Sequence, residues 1–303
     1  MPAELPVWRS LMYVPVNVEK YVDKAHTRGA DVIQLDLEDS VPPGEKERAR
    51  TLVEKAAARV KRGGADVVVR INRPLSLAVR DLEHSICPDV NGIACTKIDS
   101  ASHVMLLDEL VTELEEKRGM PAGHTKFITM IETADAFRRI DEIPRGSARV
   151  AAMNIGGEDF ALDCDMQPDD DVLLHPKQRM IIAARAAGVM PIGFIGTVAG
   201  YGDWDKFRQM VRRSRRFGFD GAGCIHPGQV TIVNEEYSPS HDEVAYARKI
   251  IEMNDEAAKA GRGSFALDGK MIDIPIIVRA QKLIARHDAI RKREAKTLAA
   301  MKS

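Results

Sequence analysis

Short apolar runs alternate along this chain with longer segments rich in charge. The runs fall at residues 11–16, 32–37, 67–71, 93–98, 127–131, 150–155, 190–195 and 223–225. Most are aliphatic throughout, with little polar alternation, which is how parallel strands covered on both faces read. Residues 45–60, 102–117, 176–187 and 204–217 read as amphipathic helices between them. In 102–117, for example, Val104, Leu107, Leu110, Val111 and Leu114 fall on one helical face. Eight strand–helix alternations predict parallel strands joined by crossover helices, and eight is the number that closes a barrel. The expected fold is therefore α/β, a (β/α)8 TIM-type barrel over residues 1–238. An open doubly wound sheet is the alternative, but no GxGxxG follows the first run.

The chain continues past the eighth unit. Residues 241–259 read as a helix, Gly261 and Gly263 break it, and FAL-DG-KMID reads as a hairpin before a basic helix from 276 to about 296. Residues 239–303 are too few for a large core of their own. They are expected to form a lid or extension over this barrel or a neighbour's.

Composition narrows the class. Of 303 residues, 45% are hydrophobic and 29% charged, as in ordinary globular proteins, and the formal net charge is −1. No global basic field draws in nucleic acid or an anionic membrane, although local basic clusters still suit a phosphorylated small molecule. Cys87, Cys95, Cys164 and Cys224 are scattered without a CxxC pair, which argues against a zinc cage and for a reducing compartment. No apolar run approaches the roughly 20 residues of a bilayer span. The start, MPAELPVWRS, lacks the basic-then-apolar pattern of a signal peptide, so a cytoplasmic location is expected.

In such a barrel the active site lies where strands end. The predicted ends present Asp36, Glu38 and Asp39; Arg70, Asn72 and Arg73; Lys97; Glu132; Glu158 and Asp159; and His226. Glu132 closes the run FITMI, and Asp159 follows VAAMNI through Gly156-Gly157-Glu158. An unpaired charge is poor core material, and two such acids form a natural oxygen pair for Mg²⁺, with Mn²⁺ as a substitute. Their alternative role is as helix caps or first-turn acids. Arg70 offers a bidentate fork to a carboxylate or a developing enolate, or else neutralises Asp36 or Glu38. Lys97 is either an imine-forming lysine or the partner of a rim acid. His226, before Pro227, reads as a capping or packing residue. Gly157, with Gly156, lets backbone approach a ligand closely. Asp273, between Met271-Ile272 and Ile274-Pro275, suits proton transfer if that apolar setting buries it, or is a turn acid near Asp268-Gly269.

Several segments together resemble the citrate lyase β-subunit and malyl-CoA/citramalyl-CoA lyase group of the HpcH/HpaI aldolase superfamily. They are RSLMYVPVNVEKYVDKAHTRGADVIQLDLEDSVPPGEKERAR (9–50), VRINRP (69–74), MIET (130–133), GGEDFALD (156–163), GFDGAGCIHPGQV (218–230) and DGKMIDIP (268–275). The resemblance implies a modified barrel with a C-terminal lid, assembled as homotrimers or hexamers. It also implies Mg²⁺ on Glu132 and Asp159, substrate contact by Arg70, and proton transfer by Asp273 at a neighbouring subunit's site. Arg9, Lys24 and Arg28 fall where basic residues of the group approach CoA phosphates. Cys95-Thr96-Lys97, Gly193-Phe194 and Gly221-Ala222 depart from the group's usual wording. These departures spare the metal pair and bear on the acyl group and the CoA contacts. The implied activity is reversible cleavage of a 3-hydroxyacyl-CoA, such as malyl-CoA or citramalyl-CoA, to a 2-oxo acid and acetyl-CoA, with CoA entering as part of the substrate. The alternatives are a citrate lyase β-subunit working on an acyl-carrier-protein thioester and a CoA-independent pyruvate-type aldolase.

Overall fold

Strands form where the chain is aliphatic and β-branched, and they pair in parallel because a helix follows nearly every one. The computed structural model describes residues 5–196, 202–259, 261 and 263–302. The strands are β1 Ser10–Pro15, β2 Val32–Asp36, β3 Asp66–Ile71, β4 Gly92–Cys95, β5 Lys126–Ile131, β6 Val150–Ile155, β7 Met190–Pro191 and β8 Ala222–Cys224. They build one sheet of eight in the order β7-β6-β5-β4-β3-β2-β1-β8, all parallel. A parallel bridge between Ile192 and Gly221 joins the edge strands, so the sheet curls onto itself as in TIM-like aldolases. Gly221 is required there, because a Cβ would lie 2.0 Å from the Trp8 carbonyl oxygen.

Covering on both faces explains the unbroken apolar runs. One buried cluster, with Trp8, Leu11, Val32, Val68, Ile128, Met130 and Met190, fills the inside of the curled sheet. A larger one, with Ile33, Leu35, Val67, Val69 and Phe127, lies between the strands and the surrounding helices. Neighbouring residues of one strand thus go to opposite cores, as the two-residue pleat dictates.

Two of the expected strands are shorter than their runs by two residues or more. β4 stops at Cys95, and Lys97 takes a left-handed φ of 49°. β7 has two residues, because Gly193 turns away at φ 150°, where a Cβ would meet the Phe219 ring at 2.9 Å. The helices Lys46–Val60, Ala101–Lys117, Leu174–Ala187 and Trp204–Phe217 lie where their periodicity places them. The helices Glu19–Ala25, Leu75–Ser85, Ala134–Arg138, Gly157–Asp163 and Pro227–Glu236 add to them.

The chain divides into two compact units, the second spanning Ser238–Ala299. That unit has its own small apolar cluster, with Ala247, Ile250, Phe265, Leu267, Ile272 and Ile277. It consists of the helix His241–Lys259, the antiparallel pair β9 Phe265–Leu267 and β10 Lys270–Ile272, and the helix Ile274–Ala300. Asp268 (φ 49°) and Gly269 (φ 74°) make the hairpin turn, whose two positive φ values match the strand twist. Among the described residues no helix is long and apolar enough to cross a membrane.

Candidate active site

The pleat that fills the sheet's interior also delivers the site. On β2, Asp36 lies two and four residues beyond Gln34 and Val32, on the same inward face. On β3, Arg70 follows Val68, and past the end of β5, Glu132 follows Met130 and Ile128. Each inward stripe starts apolar and ends in an ionisable group at the C-terminal rim. That rim opens into a cavity of about 1010 Å³ lined by Tyr13, Asp36, Arg70, Glu132, Asn154, Gly156, Gly157 and Asp159, among others.

Arg70 is fixed from several sides. Its Nε donates to Asp36 Oδ1 at 2.7 Å and its Nη2 to Asp36 Oδ2 at 2.8 Å. Its Nη1 lies 2.8 Å from Glu38 Oε2, and the guanidinium sits 5.0 Å from the Tyr13 ring centroid. Burial alone would push the Asp36 carboxyl up, but the hydrogen bonds and charge of Arg70 outweigh it and hold Asp36 below the usual range. Arg70 in turn holds its proton more tightly than a free arginine, since its acids outweigh its own desolvation.

Glu132 and Asp159 converge. Lys97 Nζ lies 3.3 Å from Asp159 Oδ1 and 3.7 Å from Glu132 Oε2, while donating to Glu38 Oε1 at 2.9 Å. Neither acid is a helix cap, although Asp159 does stand in the first turn of the helix Gly157–Asp163, as the alternative reading had it. Thr133 caps the helix after Glu132, and Glu132 Oε2 instead accepts the Lys97 backbone N–H at 2.9 Å. Glu132 is 2% exposed, and its pKa is raised to about 7. Burial is the main cause, Glu38 and Asp159 add to it, and Lys97 opposes it. Of the two roles open to Lys97, ion pairing is the one the geometry supports. Desolvation weakens its hold on the proton, but Glu38, Glu132 and Asp159 more than reverse that, so it stays an ammonium and not a nucleophile.

The donor set suits a hard divalent cation. Two carboxylates already face one positive charge, and Mg²⁺ is commonly held by one or two carboxylates with water and substrate completing its shell. Among the described residues no three His, Cys, Asp or Glu side chains gather into a denser cage. Gly156 allows the backbone to pass close by, since a Cβ there would lie 2.5 Å from Glu132 Oε1. At Gly157 a Cβ would meet Leu173 Cδ1 at 3.1 Å.

Lys24 and Arg28 line the cavity from the end of the helix Glu19–Ala25 and just beyond it, and Lys20 from its start; all three are exposed. Arg9 is a correction. It precedes β1, at the end of the sheet away from the rim, and is buried in an ion pair with Asp31 at 2.8 Å. With the backbone N–H of Arg9 also bonded to Asp31, it is a structural residue outside the cavity lining and not the expected CoA contact. Asp273 is a second correction, in its setting. It lies between β10 and the helix Ile274–Ala300, and it is exposed, as are Met271 and Ile274, so no apolar burial surrounds it in this chain. His226 caps the helix Pro227–Glu236, its Nδ1 accepting from the Gly228 N–H at 3.0 Å.

Sequence reasoning passed over Tyr13, Asn154 and Lys177. Lys177 had left a signal: it shares the buried face of its helix with Pro176, Met180, Ile181 and Ala184, where a lysine is out of place.

Comparison with known proteins identifies the family. A family model described as HpcH/HpaI aldolase/citrate lyase matches residues 9–227. The citrate lyase subunit beta of Leuconostoc mesenteroides subsp. cremoris is 32% identical over 279 residues, covering 91% of this chain and 92% of that one. An L-malyl-CoA/beta-methylmalyl-CoA lyase of Cereibacter sphaeroides is 30% identical over 305 residues, covering 93% and 95%. A crystal structure of CitE from Mycobacterium tuberculosis, in complex with magnesium, acetoacetate and coenzyme A, superposes with a TM-score of 0.70 at 25% identity, over 95% of this chain and 100% of that one.

Proposed function

The chain belongs to the HpcH/HpaI aldolase/citrate lyase family, and from that premise we propose a Mg²⁺-dependent carbon–carbon lyase acting on a 3-hydroxyacyl-CoA thioester of the malyl-CoA or citramalyl-CoA kind. One observation carries the reading: Glu132 and Asp159, which both line the cavity with Arg70, meet at a single cation, Lys97, and Lys97 shares Glu38 with Arg70. These two carboxylates would hold the ion, which supplies Lewis-acid polarisation of a bound oxygen.

The chain's own groups do the rest. Arg70, locked by Asp36 and Glu38, presents positive charge without having to reorganise, which is what stabilises charge developing on oxygen. Lys97 balances the acids of the rim. Lys20, Lys24 and Arg28 offer charge to the phosphates of CoA. Cleavage removes the proton of the substrate hydroxyl, forms the carbonyl of a 2-oxo acid, and leaves a thioester carbanion that takes up one proton. Asp273 is the proposed donor. Its exposure beside Met271 and Ile274 makes it accessible to a second copy of the chain, in keeping with an oligomer whose C-terminal unit acts as a lid on a neighbour.

Removing Glu132 or Asp159 as alanine variants tests the reading. Turnover of a thioester panel, read as 2-oxo acid by mass spectrometry, is expected to vanish while the fold persists. Wild-type rates from either variant in excess EDTA refute the metal assignment. Asp273→Asn is expected to bind substrate and lose most of kcat, and an unchanged kcat removes it from the reaction. Similarity to citrate lyase beta subunits favours a second reading, action on a carrier-protein thioester. Comparing the isolated chain on free CoA thioesters and on acyl-carrier-protein thioesters separates the two.

A further inference from the structure

The turn that follows β4 holds a conformation its sequence does not favour. Lys97 has a φ of 49°. Among the described residues the other non-glycine positions with positive φ are Asp165 and Asp268, and aspartate's short polar side chain tolerates that region. Lysine has no such help. A left-handed residue of this kind persists only where its surroundings over-determine it.

The surroundings here are specific. Thr96 Oγ1 donates to the Ile71 carbonyl of β3 at 2.9 Å, and the Ile98 N–H to the Met130 carbonyl of β5 at 3.2 Å. The third grip comes from Arg73, just past the end of β3. Its Nε donates to the Lys97 carbonyl at 3.0 Å and its Nη2 to Asp99 Oδ2 at 2.5 Å. Nε and Nη2 form one edge of a planar fork, so the two bonds fix the Lys97 carbonyl and the Asp99 carboxylate against each other. Ser100 Oγ holds the other carboxylate oxygen at 2.8 Å. The base of Arg73 is itself anchored, because the N–H and Nδ2 of Asn72 both donate to the buried Asp81 carboxylate.

This grip reaches the site through the backbone. The Lys97 carbonyl and the Ile98 N–H belong to one peptide plane. With that plane held by Arg73 and Met130, the positive φ aims the Lys97 N–H at Glu132 Oε2, 2.9 Å away. Relaxation of Lys97 to a negative φ would swing the N–H aside and release the carboxylate. Arg73 is outside the cavity lining and 38% exposed, so it acts through the turn and not on a ligand.

Resting on the metal reading, we propose that Arg73 is a positioning residue for Glu132: by clamping the Lys97 carbonyl to the Asp99 carboxylate, it keeps the left-handed turn that orients the metal-holding carboxylate.

Two measurements on the full chain test this: deuterium exchange of the Lys97 amide without metal, and Mg²⁺ affinity by titration calorimetry. In Arg73→Met the Lys97 amide is expected to exchange about tenfold faster, the worth of its hydrogen bond to a charged group, while the amides of Ile33 and Leu35 keep their wild-type rates. Mg²⁺ should bind about tenfold more weakly, the low end of what losing a ligand's own partner costs, since Arg73 acts one bond further out. Arg73→Lys keeps the charge without the two-donor edge and should recover only part of both losses. Wild-type exchange and Mg²⁺ affinity in Arg73→Met overturn the proposal, as does a parallel rise at Lys97, Ile33 and Leu35, which marks general destabilisation. Full recovery in Arg73→Lys overturns it too, since charge alone would then suffice. Should the methionine variant fail to fold, Asp99→Ala removes one of the two acceptors, and an unchanged Lys97 exchange rate there refutes the clamp. A wild type that binds no Mg²⁺ refutes the metal reading beneath the proposal, whereas variants that bind Mg²⁺ as wild type does refute the proposal alone.

Discussion

Gly156→Ala is the most direct probe of the carboxylate pair, because it adds a single methyl group at a known place. The backbone accepts it: Gly156 has φ −70° and ψ 96°, an extended conformation open to any residue. The space does not. The new Cβ would lie 2.5 Å from Glu132 Oε1, 2.7 Å from its Cγ and 3.0 Å from its Cδ. Ordinary contact begins near 3.4 Å, so the Glu132 side chain has to retreat by about 1 Å. Its other oxygen is held by the Lys97 N–H at 2.9 Å, so the retreat breaks or bends that bond. Overpacking of this kind costs about 1–3 kcal/mol of stability. A displacement of about 1 Å at a reacting centre costs on the order of a hundredfold in rate. The expected outcome is a folded protein with a modestly lowered melting temperature, Mg²⁺ affinity weakened in calorimetry, and turnover down by that factor. Gly157→Ala is the control. There the nearest atom is the side-chain end Leu173 Cδ1 at 3.1 Å, which has to give by only a few tenths of an ångström, and the expected loss of Mg²⁺ affinity is less than about tenfold. A Gly156→Ala protein with wild-type Mg²⁺ affinity and kcat would show that Glu132 does not need its observed position, and the metal reading would fail.

Two further outcomes follow from groups described above. Glu132 titrates near 7, so below that pH Mg²⁺ must displace a proton, and the apparent affinity should fall about tenfold per pH unit; a flat profile between about pH 5.5 and 8 contradicts this. The same upward shift means the folded chain holds this proton more tightly than the unfolded chain, so the group's stabilising contribution is present at low pH and is lost as pH rises through 7. Arg9→Ala takes the guanidinium from the buried Asp31 carboxylate while keeping the backbone N–H bond to it, and should destabilise the fold by up to about 3–5 kcal/mol, read by chemical denaturation. Its KM for a CoA thioester should not change, and a raised KM with intact stability would return Arg9 to the CoA site.

Much of this was legible in the chain. The eight aliphatic runs located the strands because parallel strands, buried twice over, tolerate few polar residues. The rim acids stood out because each broke such a run at its end. What stayed hidden depended on chain geometry in three dimensions. Arg9 and Lys24 look alike as basic residues of the same segment. Only the direction of β1 separates them, placing one before the strand and the other beyond it. Asp273 looked enclosed by apolar neighbours in sequence, yet Met271 and Ile274 turn outward with it. β7 looked like a full strand because glycine is silent in a hydrophobic pattern, although Gly193 ends it. Lys177 was visible in principle, as a misfit on an apolar helical face, and needed the cavity to give it meaning.

The curled sheet is not equally strong all the way round. Between β1 and β2 five residue pairs stand in register, whereas the seam from Ile192 to Gly221 is a single bridge. It is helped by Gly193 N–H to the Gly221 carbonyl at 2.8 Å and Asp220 N–H to the Pro191 carbonyl at 3.0 Å. Breathing of the native state should begin along this zip, with the amides of Gly193 and Asp220 trading hydrogen for deuterium well before those of Ile33 or Leu35. The wall of the chamber that parts most readily is thus the one carrying Gly193 and Phe194.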